Sequence, residues 1–184
     1  MIVAAALSVS ALAQTTAGVA KTTIAKRVKV IDIAGLETLL KPNGKPLLIN
    51  FWATWCDWCR EEFPDLVKID AAYKGKIDLV TVSLDDLAEI DGDVPKFLAE
   101  MKAEMPAYLL HATDESAAIQ AVSKDWAGNL PLTILMDASG KVVYQTNARV
   151  RLVTLNDNID RVLGAPPKAA ANLQTIDPAK IGQR

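Results

Sequence analysis

Residues 47–70, LLINFWATWCDWCREEFPDLVKID, constrain this chain more than any other stretch. The run 47–52 is apolar except at Asn50, as suits a strand buried on both faces. Downstream, Phe63, Leu66, Val67 and Ile69 fall at offsets that share one face of a helix. Between the two patterns stand both cysteines of the chain, Cys56 and Cys59, separated by two residues. Three of the four tryptophans, Trp52, Trp55 and Trp58, crowd the same segment. A buried strand therefore delivers a closely spaced cysteine pair to the start of a helix.

That placement has chemical consequences. A helix N-terminus carries unpaired N–H groups and the positive end of the dipole, so a thiolate there is favoured. Cys56 lies at the terminus, and Cys59 follows one turn deeper on the same face. The two sulfurs can close a small disulfide, which assigns Cys56 as the attacking thiol and Cys59 as the resolving one. Asp57 puts a negative charge beside the attacking sulfur, and Arg60 is expected to offset it in part. A zinc site needs four ligands, and His111 is the only histidine. Covalent haem attachment needs a histidine after the second cysteine, where Arg60 stands. A passive disulfide closing so short a loop adds little stability. No metal and no cofactor beyond the Cys56–Cys59 disulfide is expected.

The rest of the chain supports this segment. A net charge of −2 with no Lys/Arg-rich run gives no reason to expect a nucleic acid or an anionic membrane surface as partner. Residues 1–13 read as a signal peptide, apolar up to a small-residue site at Ala11-Leu12-Ala13, though the basic start is missing. An uncleaved membrane anchor is the alternative, but the apolar run is short of the ~20 residues a span needs. Residues 14–26 read as a linker, 27–164 as the folded domain, and 165–184 as a flexible tail. Strands are expected at 26–33, 47–52, 77–84, 108–111, 132–136 and 142–146. Helices are expected at 35–40, 57–73, 94–104, 115–124 and 153–163, with a kink near Arg60 and Glu61 from Pro64. The acidic stretch 85–93 reads as a solvated loop. Buried strands alternating with helices and ending in a hairpin indicate an α/β fold with a central mixed sheet.

On these residues the chain resembles the thioredoxin superfamily, and within it the exported TlpA-like thiol-disulfide reductases, some of which serve cytochrome c maturation. Residues 51–59, FWATWCDWC, carry the family's FWATWCxxC, and Glu62-Phe63-Pro64 its continuation. Val82-Ser83-Leu84-Asp85 resembles the family's next strand end, and 128–143 the block around its cis-proline. The resemblance implies a thioredoxin-like three-layer sandwich over roughly 28–163. It implies that Leu130-Pro131 is cis and faces the cysteines, leaving the Leu130 backbone to pair with a substrate strand. It further implies that Glu62 is a buried carboxylate able to relay protons to the resolving thiol. Asn50 stands where thioredoxin has a buried acid, so that acid is missing here. Asp57-Trp58 and Leu132 also depart from the usual residues.

Trp52 and Trp126 read as packing, Trp55 as a cover over the site, and Trp58 as an exposed substrate contact; His111 reads as structural. The reading is an exported, periplasmic thiol-disulfide oxidoreductase, a monomer that reduces protein disulfides and is recharged by a membrane thiol reductant. A peroxiredoxin-like peroxidase lacks its proline-led motif before Cys56. A copper metallochaperone of the CxxxC type needs another spacing and a histidine motif.

Overall fold

A computed structural model describes residues 28–165. The signal peptide expected at 1–13, the linker at 14–26 and the tail beyond residue 165 lie outside the described residues. The elements run β1 (Val28–Ile31), α1 (Ile33–Leu39), β2 (Leu47–Trp52), α2 (Asp57–Tyr73), β3 (Asp78–Ser83), a 3-10 turn (Leu87–Asp91), α3 (Asp93–Glu100), β4 (Ala107–Leu110), α4 (Glu115–Val122), β5 (Leu132–Met136), β6 (Val142–Thr146) and α5 (Leu152–Val162).

One sheet holds all six strands in the order β1-β4-β3-β2-β5-β6. β2 lies inside it, parallel to β3 and antiparallel to β5, with Asn50 opposite Thr81 on one side and Thr133 on the other. Every residue of β2 after Leu47 is buried, which is why that run lacks polar alternation. Successive residues serve opposite faces of the pleat. Trp52 joins a core with Phe63, Leu66, Phe97, Leu155 and Ile159, so α2, α3 and α5 cover one face. Phe51 joins Leu36, Val122, Trp126 and Ile134, so α1 and α4 cover the other. The result is the helix–sheet–helix sandwich of a thioredoxin-like α/β fold, with a mixed sheet.

Beyond shifts of one or two residues at element ends, two stretches differ from their sequence patterns. The helix expected over 94–104 ends at Glu100, because Lys102 adopts a left-handed backbone with φ 55°. The Lys102 N–H then bonds the Ala99 carbonyl (3.1 Å) and the Ala103 N–H the Leu98 carbonyl (2.9 Å), closing the helix. The acidic stretch 85–93 is not simply a solvated loop. Asp86 caps the 3-10 turn by accepting from the Ala88 N–H at 2.8 Å, and Asp85 is buried. α2 is assigned without a break from Asp57 to Tyr73, with Pro64 on its exposed side.

Candidate functional site

The site forms where the C-terminal end of β2 meets the start of α2. Cys56 is the N-cap of α2: its backbone is extended (φ −89°, ψ 105°), and its Sγ accepts the Cys59 N–H at 3.1 Å. The sulfur thus caps one of the N–H donors that the first helical turn cannot pair internally. Cys56 and Cys59 form a disulfide with an S–S distance of 2.07 Å. Cys56 keeps 7% of its surface exposed and Cys59 keeps none, so the two sulfurs are unequal in access. Asp57 and Trp58 are exposed, Trp58 at 63%, and Trp55 stands in solvent at 68%. Arg60 does not stand free beside the cysteines. Its guanidinium pairs with Glu100 (3.1 Å) and lies over the Phe97 ring at 4.7 Å, which commits the charge to α3.

Glu62 is fully buried one turn beyond Cys59. Its Oε1 accepts from Asn50 Nδ2 at 2.7 Å, and its Oε2 from the Val150 N–H at 2.9 Å. Burial pushes its carboxyl up from the ordinary 4.5 to about 7, while the Val150 and Asn50 donors and the Arg149 charge hold it down. The neighbouring Glu61 is exposed and pairs with Arg149 at 2.6 Å. The two glutamates therefore grip the segment that leads into α5, one through a side chain and one through the backbone. Asn50, at the position that lacks the buried acid, is in direct contact with Glu62.

Asp85 falls in the sequence both at a strand end that resembles the family's and in an acidic stretch that reads as a solvated loop, and its burial here corrects the second of these. Both its carboxylate oxygens accept from the Thr54 N–H (3.1 and 3.0 Å), one accepts from Thr54 Oγ1 (2.6 Å), and the other from Ser83 Oγ (2.6 Å). This carboxylate pins the turn that carries Trp55 and Cys56 to the end of β3. A signal for it existed: Asp85 follows a run of buried-strand residues, at the carboxyl end of a parallel strand, where such sheets build their sites.

The Leu130–Pro131 peptide bond is cis, and Pro131 is buried immediately ahead of β5. The N–H and C=O of Leu130 lie outside the β5 ladder, which starts at Leu132. Trp126 packs on Phe51 with ring centroids 5.2 Å apart and donates from Nε1 to the Asn129 carbonyl at 2.8 Å, fastening the loop before Pro131. Gly128 sits in that loop at φ 84°, where a Cβ would come within 2.8 Å of Ile119. A groove of about 480 Å³ runs from Trp55 and Leu130 past Leu84 and Leu110, with Asp86 and exposed His111 among its lining. Among the described residues, no group of three or more His, Cys, Asp or Glu side chains is arranged to hold a metal ion.

The sequence model of the Redoxin family matches residues 36–161, well over half of the chain and the whole of this site. The chain belongs to the Redoxin family. This Redoxin-family chain is 32% identical over 118 residues to the thiol-disulfide oxidoreductase ResA of Bacillus thuringiensis (strain Al Hakam), a stretch covering 63% of each protein. It thus spans less than two thirds of that relative's length. A shorter match, 46% identical over 44 residues, joins it to the chloroplastic thioredoxin-like protein HCF164 of Arabidopsis thaliana, covering 24% of this chain and 17% of that one. Among solved structures, a thiol:disulfide interchange protein from Bacteroides sp. matches with a TM-score of 0.57 and 26% identity, over 77% of this chain and 89% of that one. The thioredoxin-superfamily resemblance carried by residues 51–59 and 128–143 holds at the level of family and fold.

Proposed function

We propose that this protein is an exported thiol-disulfide oxidoreductase that reduces disulfides in protein substrates through Cys56 and Cys59. The observation that carries the reading is the asymmetry of the pair. Cys56 Sγ accepts the Cys59 N–H in the first turn of α2 and Cys56 keeps some exposure, whereas Cys59 is fully buried. The names of the relatives, oxidoreductase and interchange protein, agree with this chemistry.

In the reducing direction the cycle starts from the dithiol. The Cys56 thiolate attacks one sulfur of a substrate disulfide and forms a mixed disulfide, and the other substrate sulfur leaves and takes a proton. Cys59 then loses its proton and attacks Cys56 Sγ. The second substrate thiol is released, and the protein is left as the Cys56–Cys59 disulfide. Two electrons from a separate dithiol donor restore the starting state, and a membrane thiol reductant is the donor proposed. Glu62, buried one turn below Cys59, takes the Cys59 proton. Trp55, Trp58 and Asp57 form the rim that meets the substrate, and the Leu130 backbone beside Pro131 receives its extended segment as an added strand. The protein works as a monomer, and the process to which the resemblance points is cytochrome c maturation. Export rests on the apolar leader read at 1–13; among the described residues no helix is long and apolar enough to cross a membrane.

The test is disulfide exchange on insulin by the dithiol form. Cys56→Ser is expected to abolish it, and Cys59→Ser to stop turnover after one mixed disulfide. Full activity in Cys56→Ser overturns the assignment.

A further inference from the structure

Asn50 is fully buried on β2, and its hydrogen bonding is lopsided. Its Nδ2 donates to Glu62 Oε1 at 2.7 Å and to Thr133 Oγ1 at 2.9 Å. Its Oδ1 is buried with no partner among the described residues. A buried acceptor without a donor is costly, so its presence calls for a compensating role.

The donor arrangement suits one protonation state of Glu62. An ionised carboxylate is an acceptor only, and Nδ2 serves it. A protonated Glu62 carries an O–H that needs an acceptor, and Nδ2 is none. Turning the amide by 180° about its terminal torsion puts Oδ1 between Glu62 and Thr133, where it accepts from both hydroxyls. The turn breaks no bond at the far side of the amide, where Oδ1 makes none, and it moves the unpaired end of the amide from oxygen to nitrogen.

We propose that Asn50 is a positioning residue that follows the proton on Glu62, donating to Glu62 and Thr133 while the carboxyl is ionised and reversing to accept from both when it is protonated. This rests on the reading of Glu62 as the acid that serves Cys59, and it adds the residue that sets that acid's working state. The other groups facing Glu62 do not do this. Val150 N–H sits on the opposite oxygen, Arg149 is held by Glu61, and Asp65 and Tyr144 act on Glu62 only at longer range. Thr133 extends the link into β5, two residues from Pro131, so the proton on Glu62 is felt where the substrate strand is proposed to dock.

The experiment is an NMR pH titration of the full chain, following the Glu62 carboxyl carbon and the Asn50 side-chain amide. In the wild type, contacts from the Asn50 N–H protons to the Thr133 side chain are expected above the Glu62 midpoint and lost below it. Asn50→Leu is expected to raise the Glu62 midpoint by about one pH unit, because the charge-assisted donor it removes from the ionised form outweighs the neutral acceptor it removes from the protonated form. The pH profile of disulfide exchange should move with it. Asn50 contacts that persist unchanged through the titration overturn the proposal without need of any variant, as does an unmoved midpoint in Asn50→Leu. A midpoint that moves while the exchange profile stays fixed supports Asn50 and removes the proton role from Glu62. An Asn50 that only donates would also shift the midpoint in Asn50→Leu, and it is told apart by Thr133 contacts that persist below the midpoint.

Discussion

At the scale of single residues, the site is held by two buried carboxylates, Asp85 and Glu62, whose hydrogen-bond donors are neutral. Asp85 gathers the Thr54 N–H, the Thr54 hydroxyl and the Ser83 hydroxyl, and so fixes the turn in front of Cys56. Charge-assisted hydrogen bonds of this kind are strong, and their loss leaves the donors unpaired. Asp85→Ala is expected to lower stability by about 2–4 kcal/mol, with a smaller loss in Asp85→Asn, read from urea unfolding midpoints. A loss under about 0.5 kcal/mol in Asp85→Ala would show that the clamp carries no weight. The cysteines were legible from their spacing, whereas the burial of Glu62 came from the family resemblance, with which its three-residue offset from Cys59 agrees. Asp85 was only half legible. Its side-chain type matches a surface loop, and only the register of β3 turns it inward. Val150 carried no signal, since a backbone N–H donor leaves no trace in the residue type.

At the scale of elements, α2 is fastened by its aromatic contacts as much as by its own helical bonds. Phe97 on α3 packs against Trp52 at 4.4 Å and Phe63 at 5.0 Å between ring centroids, and the Arg60 guanidinium closes over it. The strand before the cysteines, the helix after them and α3 therefore share one knot. Phe97→Ala is expected to cost about 3–5 kcal/mol, the usual range for a buried ring, and to loosen α2 below the cysteines. Hydrogen exchange checks this: amides of α2 should lose protection in the variant, and a loss of protection confined to α3 would contradict it. The periodicity of residues 57–73 and the apolar run of 47–52 made these elements visible in the sequence. The early end of α3 was hidden, because Lys102 is no ordinary residue for a left-handed stop. Arg60 also looked like a counter-charge for the thiolate until the position of α3 showed where it is used.

At the scale of the whole molecule, Glu62 ties the fold's stability to pH. The folded chain holds this proton up to about pH 7, against an ordinary value of 4.5, because burial disfavours the charge. Folding therefore takes up a proton between those values. The stabilisation from this group is full below about pH 4.5 and is lost as pH rises through about 7, a swing of roughly 3 kcal/mol. Wild type measured against Glu62→Gln should show that fall in unfolding free energy between pH 4.5 and 8, and a difference that stays flat contradicts the buried charge. The class of fold followed from the alternation of strands and helices. The order of strands did not, because β4 enters between β1 and β3 through long-range pairing that no local pattern encodes. That order places β2 inside the sheet, and with it the cysteine pair at the end of a strand paired on both sides. The central claim is that Cys56, at the N-terminus of α2, makes the first bond to substrate. Its most direct test is to mix reduced Cys59→Ser protein with insulin and with glutathione disulfide and to map the adduct by mass spectrometry. A stable mixed disulfide on Cys56 is expected with both; no adduct there, together with ready adduct formation on Cys59 in the Cys56→Ser protein, would exclude Cys56 as the attacking thiol.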